Sequence, residues 1–115
     1  MDRENRYLIA DALHPLVCTD KVRDELLLYN IQAQDYPKVF EQFKLICDKG
    51  LDVASALQEL SGGQKVILMA ILAIYSPARR IHFINLNRYL DASKANALKT
   101  LIDGSDKEIL VEEDS

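Results

Sequence analysis

Ser61, Gly62 and Gly63 stand just ahead of the longest apolar run in this chain, residues 66–75. A small hydroxyl and two glycines at a helix start leave backbone N–H groups uncovered. Together with the helix dipole, such groups form a site for an anion such as a phosphate. A second set of candidates is basic. Residues 79–103 carry Arg79, Arg80, Arg88, Lys94 and Lys99 against only Asp91 and Asp103, with Asn96 among them. Arginine, lysine and asparagine are the types that meet phosphates and base edges, so these six are the candidate DNA contacts. His14 precedes a proline and His82 sits in an apolar stretch, and neither has a His one helical turn away or a Glu-x-x-His beside it. Cys18 and Cys47 each lie in an apolar run outside any Cys-x-x-Cys pair, which predicts reduced core thiols and no zinc site. No G-x-S-x-G elbow, paired-carboxylate motif or Gly-rich dinucleotide loop occurs. The expectation is therefore a chain that is not an enzyme, with no catalytic residue, metal or cofactor.

These residues need a scaffold, and composition bounds it. With 115 residues, 49% of them hydrophobic, the chain closes one core. Every residue of 66–75 is apolar, so a helix there has no wet side and must be enclosed by its neighbours. It is too short to cross a bilayer, which takes about 20 apolar residues. Asp2, Arg3, Glu4, Asn5 and Arg6 open the sequence without a leader pattern, so the expected location is cytoplasmic, with no membrane contact.

The spacing predicts about six helices. Leu8, Ile9, Ala12 and Leu13 recur at helical intervals after Asp2 and stop at Pro15. Thr19 or Asp20 caps a second helix through Leu26, Leu27 and Leu28. Asp35-Tyr36-Pro37 starts a third, with Val39, Phe40, Phe43, Ile46 and Cys47 on one stripe up to Gly50. Asp52 caps a short fourth through Val53, Ala56, Leu57 and Leu60, followed by the central helix at 62–75. Residues 81–83 read as a short strand or an irregular crossing. Asn85 caps a helical turn, and Asp91 caps a last helix that Gly104 stops. The domain is expected over 1–103, with 104–115 an acidic, disordered tail.

LSGGQ at 60–64 resembles the signature motif of ABC-type ATPases. In that family the Ser and Gly at the helix start grip the γ-phosphate of a nucleotide held by a partner domain. Leu90-Asp91 stands in register for the family's Leu-Asp turn. The family's paired acids would fall on Ile84 and Asn85, so the Mg²⁺ ligand and the water-orienting Glu are missing, and no G-x-x-x-x-G-K-[ST] phosphate cradle exists. The resemblance implies an element that acts on a partner's nucleotide, with no hydrolysis by this chain alone. The same letters have a structural explanation, because Ser61 and Gln64 make a capping box. Gly62 and Gly63 then serve close packing of a neighbouring helix or an anion.

Residues 83–102 resemble a helix-turn-helix unit, with Leu86 and Leu90 inside a first helix, 91–93 as the turn, and Lys94, Asn96 and Lys99 on the outer face of the second. The order from 61 to 113 is similar to that of a winged helix. A plain αα-hairpin fits the same pattern.

The leading expectation is an all-α bundle acting as a non-catalytic regulatory or protein-interaction module that self-associates, because Leu26-Leu27-Leu28 spans more than one helix face and leaves an apolar patch. The alternatives are a helix-turn-helix DNA-binding protein using 83–102 and a degenerate ABC-like signature element acting on a partner's nucleotide site.

Overall fold

Ile81 and Phe83 are fully buried, while Arg80, His82 and Ile84 around them are partly exposed. That period-two alternation suits a strand and no helix. In the computed structural model, which describes residues 6–113, Arg80–Ile84 is the middle strand, β2, of a three-stranded parallel sheet. β1 (Leu8–Asp11) and β3 (Glu108–Glu112) flank it. Ala10 lies opposite Phe83 and Ile81 opposite Ile109. Four helices accompany the sheet: α1 (Val22–Leu28), α2 (Tyr36–Cys47), α3 (Gly62–Tyr75) and α4 (Ala92–Asp103). The fold is mixed α/β, and the expected all-α bundle of six helices is overturned.

Each correction has a physical reason. Leu8 to Asp11 gain more as a strand, because parallel pairing sets the small Ala10 against the large Phe83 and buries both, and Ala12 and Leu13 follow in a turn. The proposed cap Asp2 lies outside the described residues. The expected fourth helix gives its backbone groups away: Ser55 O accepts from the Val22 N–H, Val53 O accepts from the Arg23 N–H, and the Leu57 N–H donates to Asp20 O. With those groups turned toward the start of α1, only one turn of 3₁₀ helix forms, at Leu57–Glu59. Residues 85–90 are a turn rather than a helix, opened by Asn85 at φ 58°. The middle of the expected disordered tail is β3, which β2 holds from Arg80↔Glu108 to Ile84↔Glu112; Asp114 and Ser115 lie outside the described residues. α2 ends one turn before Gly50, on Asp48 at φ 54°.

α3 is apolar all round because it serves two cores. Ile67, Leu68, Ile71 and Leu72 face a cluster with Val22, Leu26, Val39 and Phe43 of α1 and α2. Val66, Met69, Ala70 and Ala73 face a second cluster with Ala10, Ile81, Phe83 and Leu98. All eight residues from Val66 to Ala73 are buried. No helix among the described residues is long and apolar enough to cross a membrane.

Candidate functional site

The strands run parallel, so their carboxyl ends share one side of the molecule, where open α/β sheets generally place ligands. The starts of α3 and α4 and the 85–91 connection gather there. Ser61 is the N-cap of α3. Its hydroxyl accepts from the Gln64 N–H at 3.2 Å, while the Gln64 side-chain oxygen accepts from the Ser61 N–H at 2.9 Å. The Lys65 N–H is taken by the Ser61 carbonyl at 2.9 Å. No acceptor among the described residues takes the N–H of Gly62 or Gly63, which are two of the four donors a helix start leaves over.

The two glycines divide the roles the sequence left open. A β-carbon on Gly63 would lie 3.1 Å from the Tyr89 carbonyl oxygen and 3.7 Å from Leu90 Cδ2. Gly63 therefore serves close packing, though against the 85–90 turn and not against a helix. A β-carbon on Gly62 would meet nothing within 4 Å. Gly62 is exposed, and packing gives no account of it.

The turn that Gly63 touches is held from both ends. The Asn85 N–H donates to the Glu112 carbonyl at 2.8 Å, and the Asn85 carbonyl accepts from Arg88 at 3.2 Å. Asp91 caps α4 by accepting from the Lys94 N–H at 2.9 Å, with the Lys94 ammonium 3.4 Å from its other oxygen. Those backbone and side-chain contacts with Lys94 pull the Asp91 carboxyl below its ordinary value.

Ile84 ends β2 between Asp11 and Glu112 in the sheet register. Both flanking acids have partners of their own. Asp11 accepts from the Leu13 N–H at 2.9 Å, and Glu112 lies 2.9 Å from His82 Nε2. Among the described residues no group of three His, Cys, Asp or Glu side chains is placed to hold a metal ion. His14 lines a cleft of about 380 Å³ with Thr19, Gln58 and Lys65, beside the first turn of α3.

The basic block does not assemble. Arg79 and Arg80 sit at the amino end of β2, away from α3's start. Arg80 lies 3.4 Å from Glu108, and its guanidinium is 5.8 Å from the Tyr7 ring centre. Arg88 is exposed on the 85–90 turn at the other end. Lys94 pairs with Asp91, and Lys99 with Asp103 at 2.9 Å; Asn96 is exposed on α4 between them. The helix-turn-helix reading of 83–102 is overturned, because Phe83 belongs to a strand and α4 has no first helix to pack on.

Several residues on which this arrangement depends carried no sequence signal. Glu25 is fully buried and accepts from the backbone of Cys18 at 2.8 Å and Val17 at 3.4 Å, which pins the loop after β1. The Cys18 thiol also bonds to it, and the thiol pKa is pushed up to about 11. Lys107 reaches the carbonyls of Ser76 and Ala78 after α3. Only Asn85 offered a hint, since asparagine is among the residues that accept a left-handed backbone.

No protein-family model and no curated protein matches this sequence. Its fold does match solved structures. A protein assigned as a metal-chelate type ABC transporter, in an inward-facing conformation, superposes with a TM-score of 0.65 at 18% identity, over 92% of this chain and 47% of that one. One assigned as a cobalt transport ATP-binding protein gives 0.65 at 22%, over 95% and 44%. The RNase-L inhibitor gives 0.61 at 22%, over 93% and 21%. The chain spans less than half the length of each. The fold is thus one that this chain shares with part of each of these structures.

Proposed function

We propose that the chain is a degenerate ABC-like signature element that offers the start of α3 to the phosphates of a nucleotide held by a partner, and that does not itself hydrolyse it. The observation that carries this reading is Gly62, exposed in the first turn with open space around it while its neighbour Gly63 is packed on Tyr89. The fold likeness supports it, since one matched structure is assigned as an ATP-binding protein. The Gly62 and Gly63 N–H groups and the helix dipole attract the anion, and the Ser61 hydroxyl can donate to it while still accepting from Gln64. Ile84 and Asn85 supply neither a metal ligand nor a base for water, so the chain's part is binding and orientation.

Titration of the full chain with a non-hydrolysable ATP analogue tests this by amide NMR. Weak, saturable shifts centred on the amides of Ser61, Gly62 and Gly63 are expected, reduced in Ser61→Ala and in Gly62→Val. Shifts spread evenly over the surface, or none at millimolar analogue, would sink the reading. ATP turnover by the pure chain would contradict the role given to Ile84 and Asn85.

A protein contact is favoured separately by Val17, Ile9 and Leu28, which are 72%, 55% and 49% exposed around a hollow of about 320 Å³. Light scattering at micromolar concentration decides whether a second copy fills it, and a strict monomer excludes self-association.

A further inference from the structure

β3 lies at the sheet edge with no neighbour beyond it among the described residues. The Glu108 N–H donates to the Arg79 carbonyl at 3.0 Å, and the Glu112 carbonyl accepts from Asn85 at 2.8 Å. Along a parallel strand alternate residues bond to the same side, so the N–H and C=O groups of Ile109 and Val111 face the open edge. Val111 shows what is lacking there. It pairs in register with Phe83 on the face that the helices cover, yet Val111 is 45% exposed and Phe83 0%. Beside it runs a groove of about 320 Å³ between strand and helix, with Leu86, Ala95, Leu98, Ile102 and Val111 among its apolar lining and the polar Asn87 and Asn96 also on its wall. Edge strands left to water are commonly blunted by charged side chains or proline; Glu108 and Glu112 do this only at the two ends of β3, and Ile109, Leu110 and Val111 between them carry neither.

We propose that this edge is completed by an extended segment of a partner polypeptide, which adds as a fourth strand with an apolar side chain in the groove and basic side chains beside Glu108 and Glu112. The charge of the occupant follows from the strand. Asp106, Glu108, Glu112 and Glu113 surround the edge; Arg80 lies 3.4 Å from Glu108 and His82 2.9 Å from Glu112 on the β2 side, Lys107 is turned away onto the carbonyls of Ser76 and Ala78, and the acids still outnumber the cations. A second copy fits poorly. Two β3 strands paired antiparallel about Leu110 would set Glu108 against Glu112, and like charges directly opposite are destabilising. Strand addition of this kind takes affinity from backbone bonds and selectivity from pockets for alternate side chains. The inference stands whether or not Ser61 meets a phosphate.

The test uses the full chain and two capped pentapeptides, Lys-Val-Ile-Val-Lys and Glu-Val-Ile-Val-Glu. With the basic peptide, amide exchange at Ile109 and Val111 slows while Leu110 and Glu112, already bonded to β2, change little. Added salt weakens the effect, and the acidic peptide has none. Val111→Pro deletes an outward donor and spares the ladder to β2, and it lowers binding about tenfold or more. Ala95→Leu fills the groove from the helix side and lowers binding without touching the strand. No protection at millimolar basic peptide overturns the proposal. Equal binding of both peptides overturns it too, as does protection of Ile109 and Val111 in the protein alone that grows with its concentration, which would give the edge to a second copy.

Discussion

The Tyr89 carbonyl oxygen stands 3.1 Å from the place where a side chain on Gly63 would begin, whereas the same point on Gly62 is open for 4 Å. Adjacent glycines in one helical turn therefore answer to different pressures. Gly63→Val forces the 85–90 turn outward and should cost about 1–3 kcal/mol. Gly62→Ala should be neutral or stabilising by up to about 1 kcal/mol, since the first turn loses only backbone freedom. Urea unfolding of both variants checks the ranking, and the reverse order would mean that α3 does not pack on that turn. Gly62 is also the better probe of phosphate binding, because altering it leaves the packing alone.

The two-sided role of α3 predicts uniform intolerance. Leu68, Ile71 and Leu72 are 0% exposed, and truncating any of them to alanine should cost about 2–5 kcal/mol. Ala70→Asp and Ala73→Asp should do worse, because the charge would be buried against β1 and β2 without a partner. Lys65→Ala should change stability by about 0.5 kcal/mol or less, as its ammonium has no ion pair among the described residues. Thermal melts give the comparison, and a tolerated aspartate at both alanines would refute the double core.

Asp91 links the start of α4 to pH. Its folded pKa lies below the ordinary 3.8, chiefly through the Lys94 N–H. A depressed carboxyl pKa contributes stability that is fully present above the unfolded value and is lost as pH falls through the folded one. Asp91→Asn keeps a capping oxygen but removes the charge. The stability gap between the two proteins should therefore be open at neutral pH and close in acid below about pH 4. A gap that stays constant down to pH 2 would mean the charge plays no part.

Both thiols should be sluggish. The Glu25 bond lifts Cys18 to about 11, and burial lifts Cys47 to about 11. Because the thiolate is the nucleophile, labelling by a disulfide reagent at pH 7.5 should be far slower than for a free thiol and should rise steadily with pH. Fast labelling of Cys18 in the folded protein would show that it does not bond to Glu25.

Local chemistry in the sequence was sufficient for α3, its Ser61–Gln64 capping box and the Asp91 cap, because all three rest on residues within one turn of each other. The strands were another matter. β1 has 4 residues and β3 has 5, too few for period two to outweigh helical spacing, and each becomes a strand only by pairing with β2, some 70 and 28 residues away along the chain. The same distance hid the function of Gly63, whose neighbour Tyr89 approaches only once β2 has turned the chain at Asn85. Residues 53–60 likewise carry helical spacing, yet their carbonyls bond to the start of α1. The sequence by itself determined which helix must be enclosed and how it begins; the tertiary structure decided what encloses it, because a parallel sheet exists only through contacts between segments remote in sequence.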